Sequence, residues 1–311
     1  VAEYSSRTAV IAALIGNLCI AVTKAVAAAV TGSSAMLSEA VHSLVDTGNE
    51  VLLLYGQHRS ALPPDRRHAF GHGRELYFWA FVVALLIFAL GAGVSIYEGI
   101  VHISEPEPIT SAWVVYVVLG LSLLFEAGSW WFGWKAFNRA RGDAGFWEAF
   151  KESKDPASFM VLFEDTAAIL GILIALGATS LSLALDAPWI DGAGSILIGA
   201  LLAVIAVLLA RESKALLIGE RASPEIGKTI RLLAESDPRV VKVVEIATSQ
   251  LAPDQVIANV ALEFEDQLRV PELEQLIDEM ERTVRAQHPE LLRVFITPQT
   301  GGFPERRRAA R

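Results

Sequence analysis

Apolar positions gather into six long runs, near residues 8–30, 34–57, 76–102, 112–137, 157–178 and 190–212. A helix needs about 20 such residues to cross a bilayer, so the pattern predicts six transmembrane helices. Beyond Glu220 the period changes. Ser223 and Pro224 open a helix that runs to Ser236, with the serine placed to cap it. Val240–Ser249 and Gln255–Phe264 read as strands, the second alternating with Val256, Ala258, Val260, Leu262 and Phe264 on one face. Pro271–His288 carries Leu273, Leu276, Met280 and Val284 at helical spacing, and Leu292–Thr297 reads as a last strand. The expected division is a membrane domain over 1–219, a small α+β domain of αββαβ order, ferredoxin-like, over 220–298, and a flexible basic tail over 299–311. The first run is read as a retained span.

Composition supports a membrane class. Of 311 residues, 53% are hydrophobic, and the mean hydropathy is +0.43, too apolar for a soluble chain of this size. The net charge of −9 argues against nucleic-acid binding. Cys19 is the single cysteine, so a metal site here must use His, Asp and Glu. Lys and Arg fall after the second, fourth and sixth runs: Arg59, Arg66, Arg67 and Arg74; Arg139, Arg141, Lys151 and Lys154; Arg211 and Lys214. The other connections contain neither. The positive-inside rule then places both termini in the cytoplasm.

Two runs hold charges that a bilayer disfavours. The second contains SEAVHSLVDTGNE, in which His42 and Asp46 stand four residues apart and so stack on one helical face, with Glu39 and Asn49 extending the stripe. The fifth contains Glu164 and Asp165. Three ionised, unpaired acids at mid-membrane cost roughly 8–10 kcal/mol on insertion scales, and a bound cation or proton offsets that cost. At 1.5 Å per residue Asp46 lies ~16 Å, Asp165 ~12 Å and Glu126 ~16 Å from the cytoplasmic edge. An acid such as Glu126 also fits a structural part, joining helices through hydroxyls. Lys24 falls near the outer end of the first run, where its stem is expected to snorkel, without a functional role.

The connection Pro63–Arg74, PPDRRHAFGHGR, spaces Asp65, His68 and His72 at three and four residues, with Gly71 and Gly73 permitting a tight fold. Two imidazoles and a carboxylate suit zinc with water as a fourth ligand. A polar loop with histidines facing solvent fits the same spacing.

Together these parts resemble the cation diffusion facilitator family of divalent-metal transporters over nearly the whole chain. The resemblance rests on the six spans, the HxxxD pair His42 and Asp46, the acidic fifth span, the HAFGHG loop and the αββαβ domain. It implies a homodimer in a bacterial inner membrane that exports Zn²⁺, or Mn²⁺, Fe²⁺ or Co²⁺, from the cytoplasm in exchange for protons. It also raises the loop site Asp65, His68 and His72. Many members carry a second HxxxD in span 5, where this chain has Val161 four residues before Asp165. The Glu164–Asp165 pair looks like the branch related to zinc transporter nine. The implied transport site is His42, Asp46, Asp165 and Glu164, with Glu126 or Asn49 as further ligands. No HExxH or GxxxxGK motif points to an enzyme, and no cofactor is expected beyond the transported metal. A cation channel and a non-transporting metal receptor are the competing classes.

Overall fold

The computed structural model describes residues 2–142, 145–146, 149–150 and 154–299. Lys151 and residues 300–311 of the expected tail lie outside the described residues. Two compact units emerge: Val1–Ala61 with Glu75–Lys214, and Leu62–Arg74 with Ala215–Arg311.

The first unit is helical. α1 (Ala2–Thr31) and α2 (Ser34–Ser60) are joined through Gly32 and Ser33, the glycine at φ 70°, where a side chain would be strained. Asn17 bonds Glu50 and Lys24 bonds Glu39, so the two helices run antiparallel. The Ser33 hydroxyl caps α2 by accepting from Met36 N. Asp191 strengthens that end, its carboxylate accepting from Ser33 Oγ, Ala35 N and Thr179 Oγ1 at 3.0–3.2 Å. A negative group at a helix N-terminus opposes the positive end of the helix dipole, and this one ties together three helices.

The third run is interrupted. α3 (Glu75–Leu86) passes through a π-helical turn, Ile87–Ala92, into α4 (Gly93–Ser104), a widened turn that apolar periodicity does not reveal. α5 (Ala112–Ala140), α6 (Pro156–Ala184) and α7 (Trp189–Ile218) complete the described long helices. α6 and α7 each continue about six residues past the apolar run that marked them, because propensity sustains a helix beyond its lipid-facing stretch. Among the described residues five helical stretches are long and apolar enough to cross a membrane: Leu14–Thr31, Glu75–Ser104, Ala112–Arg139, Phe159–Ala184 and Trp189–Ile218. α2 has comparable length, at 27 residues, but carries Glu39, His42, Asp46, Asn49 and Glu50. Its core face packs Met36 and Ala35 with Ala80, Val83, Ile172, Ile198 and Leu202.

The second unit has α8 (Pro224–Ser236), β1 (Val240–Ala252), β2 (Gln255–Phe264), α9 (Val270–Gln287) and β3 (Leu291–Pro298). The sheet order is β1-β2-β3, with β1 antiparallel and β3 parallel to β2. Val256, Ala258, Val260 and Leu262 of β2 are buried with Ile226 and Ile230 of α8 and Leu276, Met280 and Val284 of α9. That is the αββαβ order read from the alternation.

The structure departs from a division at 219. The loop Leu62–Arg74 groups with the sheet: the Phe70 ring meets Phe295 edge-on at 6.4 Å, and Arg74 donates to Ser249 Oγ at 3.3 Å. Gly73 lies so close to the β1 backbone that an added Cβ would stand 3.0 Å from Leu251 O. These partners are 175 residues or more away along the chain, so spacing within the loop gives no sign of them.

Candidate functional site

Helical spacing places the polar stripe of α2 as expected, and packing supplies its partners. His42 is 1% exposed, with its Nδ1 3.3 Å from Asp46 Oδ1. That geometry is not a hydrogen bond, and neither ring nitrogen has another partner. Asn49 donates to Glu164 Oε1 at 3.0 Å, Ser129 to Asp165 Oδ2 at 2.9 Å, and Asn17 to Glu50 Oε1 at 2.7 Å.

These groups surround a cleft of about 440 Å³, counting the solvent at its mouth, lined by Asn17, Ile20, Ser43, Asp46, Glu50, Glu126, Val161, Glu164 and Asp165. Asp46, Glu126, Glu164 and Asp165 therefore share one space, and the neighbours Glu164 and Asp165 both face it. His42 stands behind Asp46, off the cleft wall, and Asn49 reaches the cleft through Glu164. Glu50 is the acid that the sequence reading did not single out. Its signal is present, four residues beyond Asp46 on the same stripe.

The donors on three of these carboxylates are neutral amides and a hydroxyl, not cationic side chains. His42 Nδ1 and Nε2, Asp46 Oδ1, Asn49 Oδ1 and Glu50 Oε2 are all buried without a hydrogen-bond partner. Each such atom costs ~1–3 kcal/mol of lost solvation, which a hard cation or a proton would return. Among the described residues no three of these intramembrane groups bring ligand atoms within 4.8 Å of one another. An ion binding there must draw them together.

Lys24 does not snorkel. Its ammonium is fully buried, 3.1 Å from Glu39 Oε2 and 2.8 Å from Ser43 Oγ. Snorkelling requires a path to water, and the packing of α1 on α2 closes it.

The loop residues Asp65, His68 and His72 do converge, and among the described residues they form the one group of three with ligand atoms within 4.8 Å. His68 Nδ1 is 3.1 Å from Asp65 Oδ1, His72 Nε2 is 3.3 Å from Oδ2, and the two rings lie 4.1 Å apart. Backbone N–H donors from His68 and Arg67, at 2.6 and 2.7 Å, close a turn on Asp65 and hold its carboxyl down at about 2. The imidazole hydrogen bonds add to the same effect. His72 is buried while His68 and Asp65 are exposed, so a ligand would reach the cluster from the solvent side.

Long apolar helices enclosing a carboxylate-lined cleft define an integral membrane protein with a cation-attracting interior. The chain belongs to the cation efflux family, matching its cation efflux transmembrane domain over residues 10–218. It is 31% identical over 274 residues to the mitochondrial proton-coupled zinc antiporter SLC30A9 of Mus musculus, covering 86% of this chain and 48% of that protein. It is 26% identical over 242 residues to metal tolerance protein C4 of Arabidopsis thaliana, covering 77% and 53%. With the cation-efflux pump FieF of Pectobacterium atrosepticum it shares 25% identity over 286 residues, covering 89% and 87%. The chain thus spans about half the length of the mitochondrial and plant relatives it matches.

Proposed function

We propose that this protein is a proton-coupled antiporter that exports a divalent transition metal through an intramembrane site formed by His42, Asp46, Glu164 and Asp165, with Glu126 and Asn49 completing it. The observation that carries this reading is the convergence of Asp46, Glu126, Glu164 and Asp165 on one cleft beside the unpaired His42 ring, in a chain of the cation efflux family. Zn²⁺ is the first substrate, supported by the likeness to zinc antiporters. The donor set is rich in oxygen, which also admits Mn²⁺, Fe²⁺ or Co²⁺.

Metal ligands must be deprotonated to coordinate, so a metal ion and protons compete for the same lone pairs. Loading from the cytoplasm expels protons from the carboxylates of the cleft. Protons arriving from the other side then displace the ion. Asn49, Ser129 and Asn17 hold the carboxylates apart without neutralising them, so the groups are free to close on an ion and to reopen. The reading takes all six helical runs as crossings with both termini cytoplasmic, in a bacterial inner membrane. It includes pairing of two copies through the αββαβ domain, which at about 75 residues is small enough that its core is marginal alone. Asp65, His68 and His72 form a second, solvent-accessible metal site.

The test is metal uptake into proteoliposomes driven by a pH gradient. Asp46→Ala and Asp165→Ala each abolish it if the reading holds; uptake retained by both variants removes the cleft from the mechanism. Saturable flux, compared with binding alone, separates a transporter from a channel and from a receptor.

A further inference from the structure

A lysine and a glutamate that are both 0% exposed, inside a unit of membrane-spanning helices, ask for an explanation beyond packing. Replacing a buried ion pair by well-packed apolar residues is often neutral or stabilising, so stability alone is a weak reason for one. The position of this pair is informative. Ser43 Oγ, which accepts from the Lys24 ammonium at 2.8 Å, lines the carboxylate cleft. Glu39, the other partner, stands one turn before His42 on α2. The ammonium is thus one hydroxyl away from the cleft wall that Ser43 shares with Asp46 and Glu126.

The clamp is tight. Glu39 Oε1 has no hydrogen-bond partner and abuts Gly171 of α6, where an added Cβ would overlap the oxygen. α1, α2 and α6 therefore meet at the ion pair, and the lysine cannot withdraw to solvent without separating them. A positive charge fixed there has a definite sign of effect. It opposes the arrival of a second cation, most strongly a dication.

We infer that Lys24 sets the affinity of the intramembrane site: its ammonium, clamped by Glu39 and Ser43 at the cleft wall, is a fixed positive charge that weakens divalent-cation binding and so permits release. The inference rests on the proposed transport reading. A cleft crowded with carboxylates would otherwise hold a dication too firmly to turn over, since transport requires binding strong enough to load and weak enough to unload.

The test is Zn²⁺ binding to the full-length protein in detergent by calorimetry, in a His68→Ala/His72→Ala background that silences the loop site. Lys24→Met binds Zn²⁺ at least tenfold more tightly, whereas Lys24→Arg, which keeps the charge, binds within a factor of three of the parent. Glu39→Gln, which frees the ammonium to turn toward the cleft, binds at least tenfold more weakly. A purely structural ion pair predicts instead a lower melting temperature in Lys24→Met with no gain in affinity. A folded Lys24→Met that binds no tighter than the parent overturns the inference. If that variant fails to fold, a Glu39→Gln protein binding as tightly as the parent overturns it equally. Asp46→Asn separates the two levels: its loss of binding upholds the transport site whatever Lys24 does, and its retention removes the site itself.

Discussion

Asn49 Nδ2 donates to Glu164 Oε1 at 3.0 Å, with both residues buried, so the polar stripe of α2 reaches the acidic pair of α6 through an amide. The amide orients Glu164 toward the cleft without neutralising it. Val161, one turn before Asp165, lines the same cleft. Under the proposed transport reading, Glu164 supplies the donor that Val161 cannot. Glu164→Gln should weaken Zn²⁺ binding by at least about tenfold, ~1.4 kcal/mol. Adding Val161→His to that variant should restore binding and raise the preference for Zn²⁺ over Mn²⁺, because imidazole suits zinc better than a carboxylate does. Competition calorimetry with the two metals reads both effects, and a double variant no better than Glu164→Gln would refute the assignment.

Glu50 shares the cleft and receives a 2.7 Å hydrogen bond from Asn17, while its second oxygen is buried and unpaired. It is a carboxylate of the cleft wall one turn beyond Asp46, and under the proposed transport reading it is an entry group and not a ligand. Glu50→Gln should slow the initial rate of metal uptake severalfold and leave the affinity of the purified protein within about threefold, ~0.7 kcal/mol. Stopped-flow uptake into vesicles set beside equilibrium binding distinguishes the two. Equal losses in both would make Glu50 an ordinary ligand.

The loop cluster carries a pH signature. Asp65 is held at about 2 by backbone donors from His68 and Arg67, below the ~3.9 of an unperturbed aspartate. A carboxyl depressed on folding contributes to the loop's structure above its unfolded value and loses that contribution as pH falls through the folded value. Between pH 4 and 8 Asp65 therefore stays ionised and has no proton to release when a metal binds. Calorimetry in buffers of different ionisation heat, with Asp46→Asn silencing the cleft, reads the number of protons released per ion bound. Asp65→Asn should lose the affinity by at least tenfold and keep the same proton count per ion bound.

How much of this was legible along the chain depends on how far apart the partners are. His42 and Asp46 announce themselves because four residues make one helical turn, and Asp65, His68 and His72 because a short loop can only fold back on itself. The β2 core follows directly from the alternation of Val256, Ala258, Val260 and Leu262. Lys24 was misplaced because its environment is set by Glu39 and Ser43 on the next helix. Depth along α1 says nothing about which side of the helix is packed. The attachment of the 62–74 loop to the sheet was invisible for a similar reason, since Phe70 finds Phe295 across most of the sequence. The π-helical turn at Ile87–Ala92 lies in a uniformly apolar stretch, which carries no signal of a register change.

Close backbone approach makes the last prediction. Gly99 of α4 and Gly192 of α7 face each other: a Cβ on Gly99 would stand 2.5 Å from Gly192 O, and one on Gly192 would stand 2.8 Å from Gly99 O. Small residues permit such contact between membrane helices, where packing rather than the hydrophobic effect drives association. Because the obstructing atom in each case belongs to backbone, a side chain cannot swing aside to relieve the clash. Gly99→Ala should destabilise the membrane unit by about 1–3 kcal/mol, the usual cost of overpacking. Gly120 of α5 is the control, since nothing lies within 4 Å of its added Cβ. Gly120→Ala should gain roughly 0.4–1 kcal/mol, as the alanine restricts the unfolded chain and favours the helix. Thermal unfolding of the two variants in detergent should therefore shift in opposite directions. Movement in the same direction would show that α4 and α7 do not pack through these glycines.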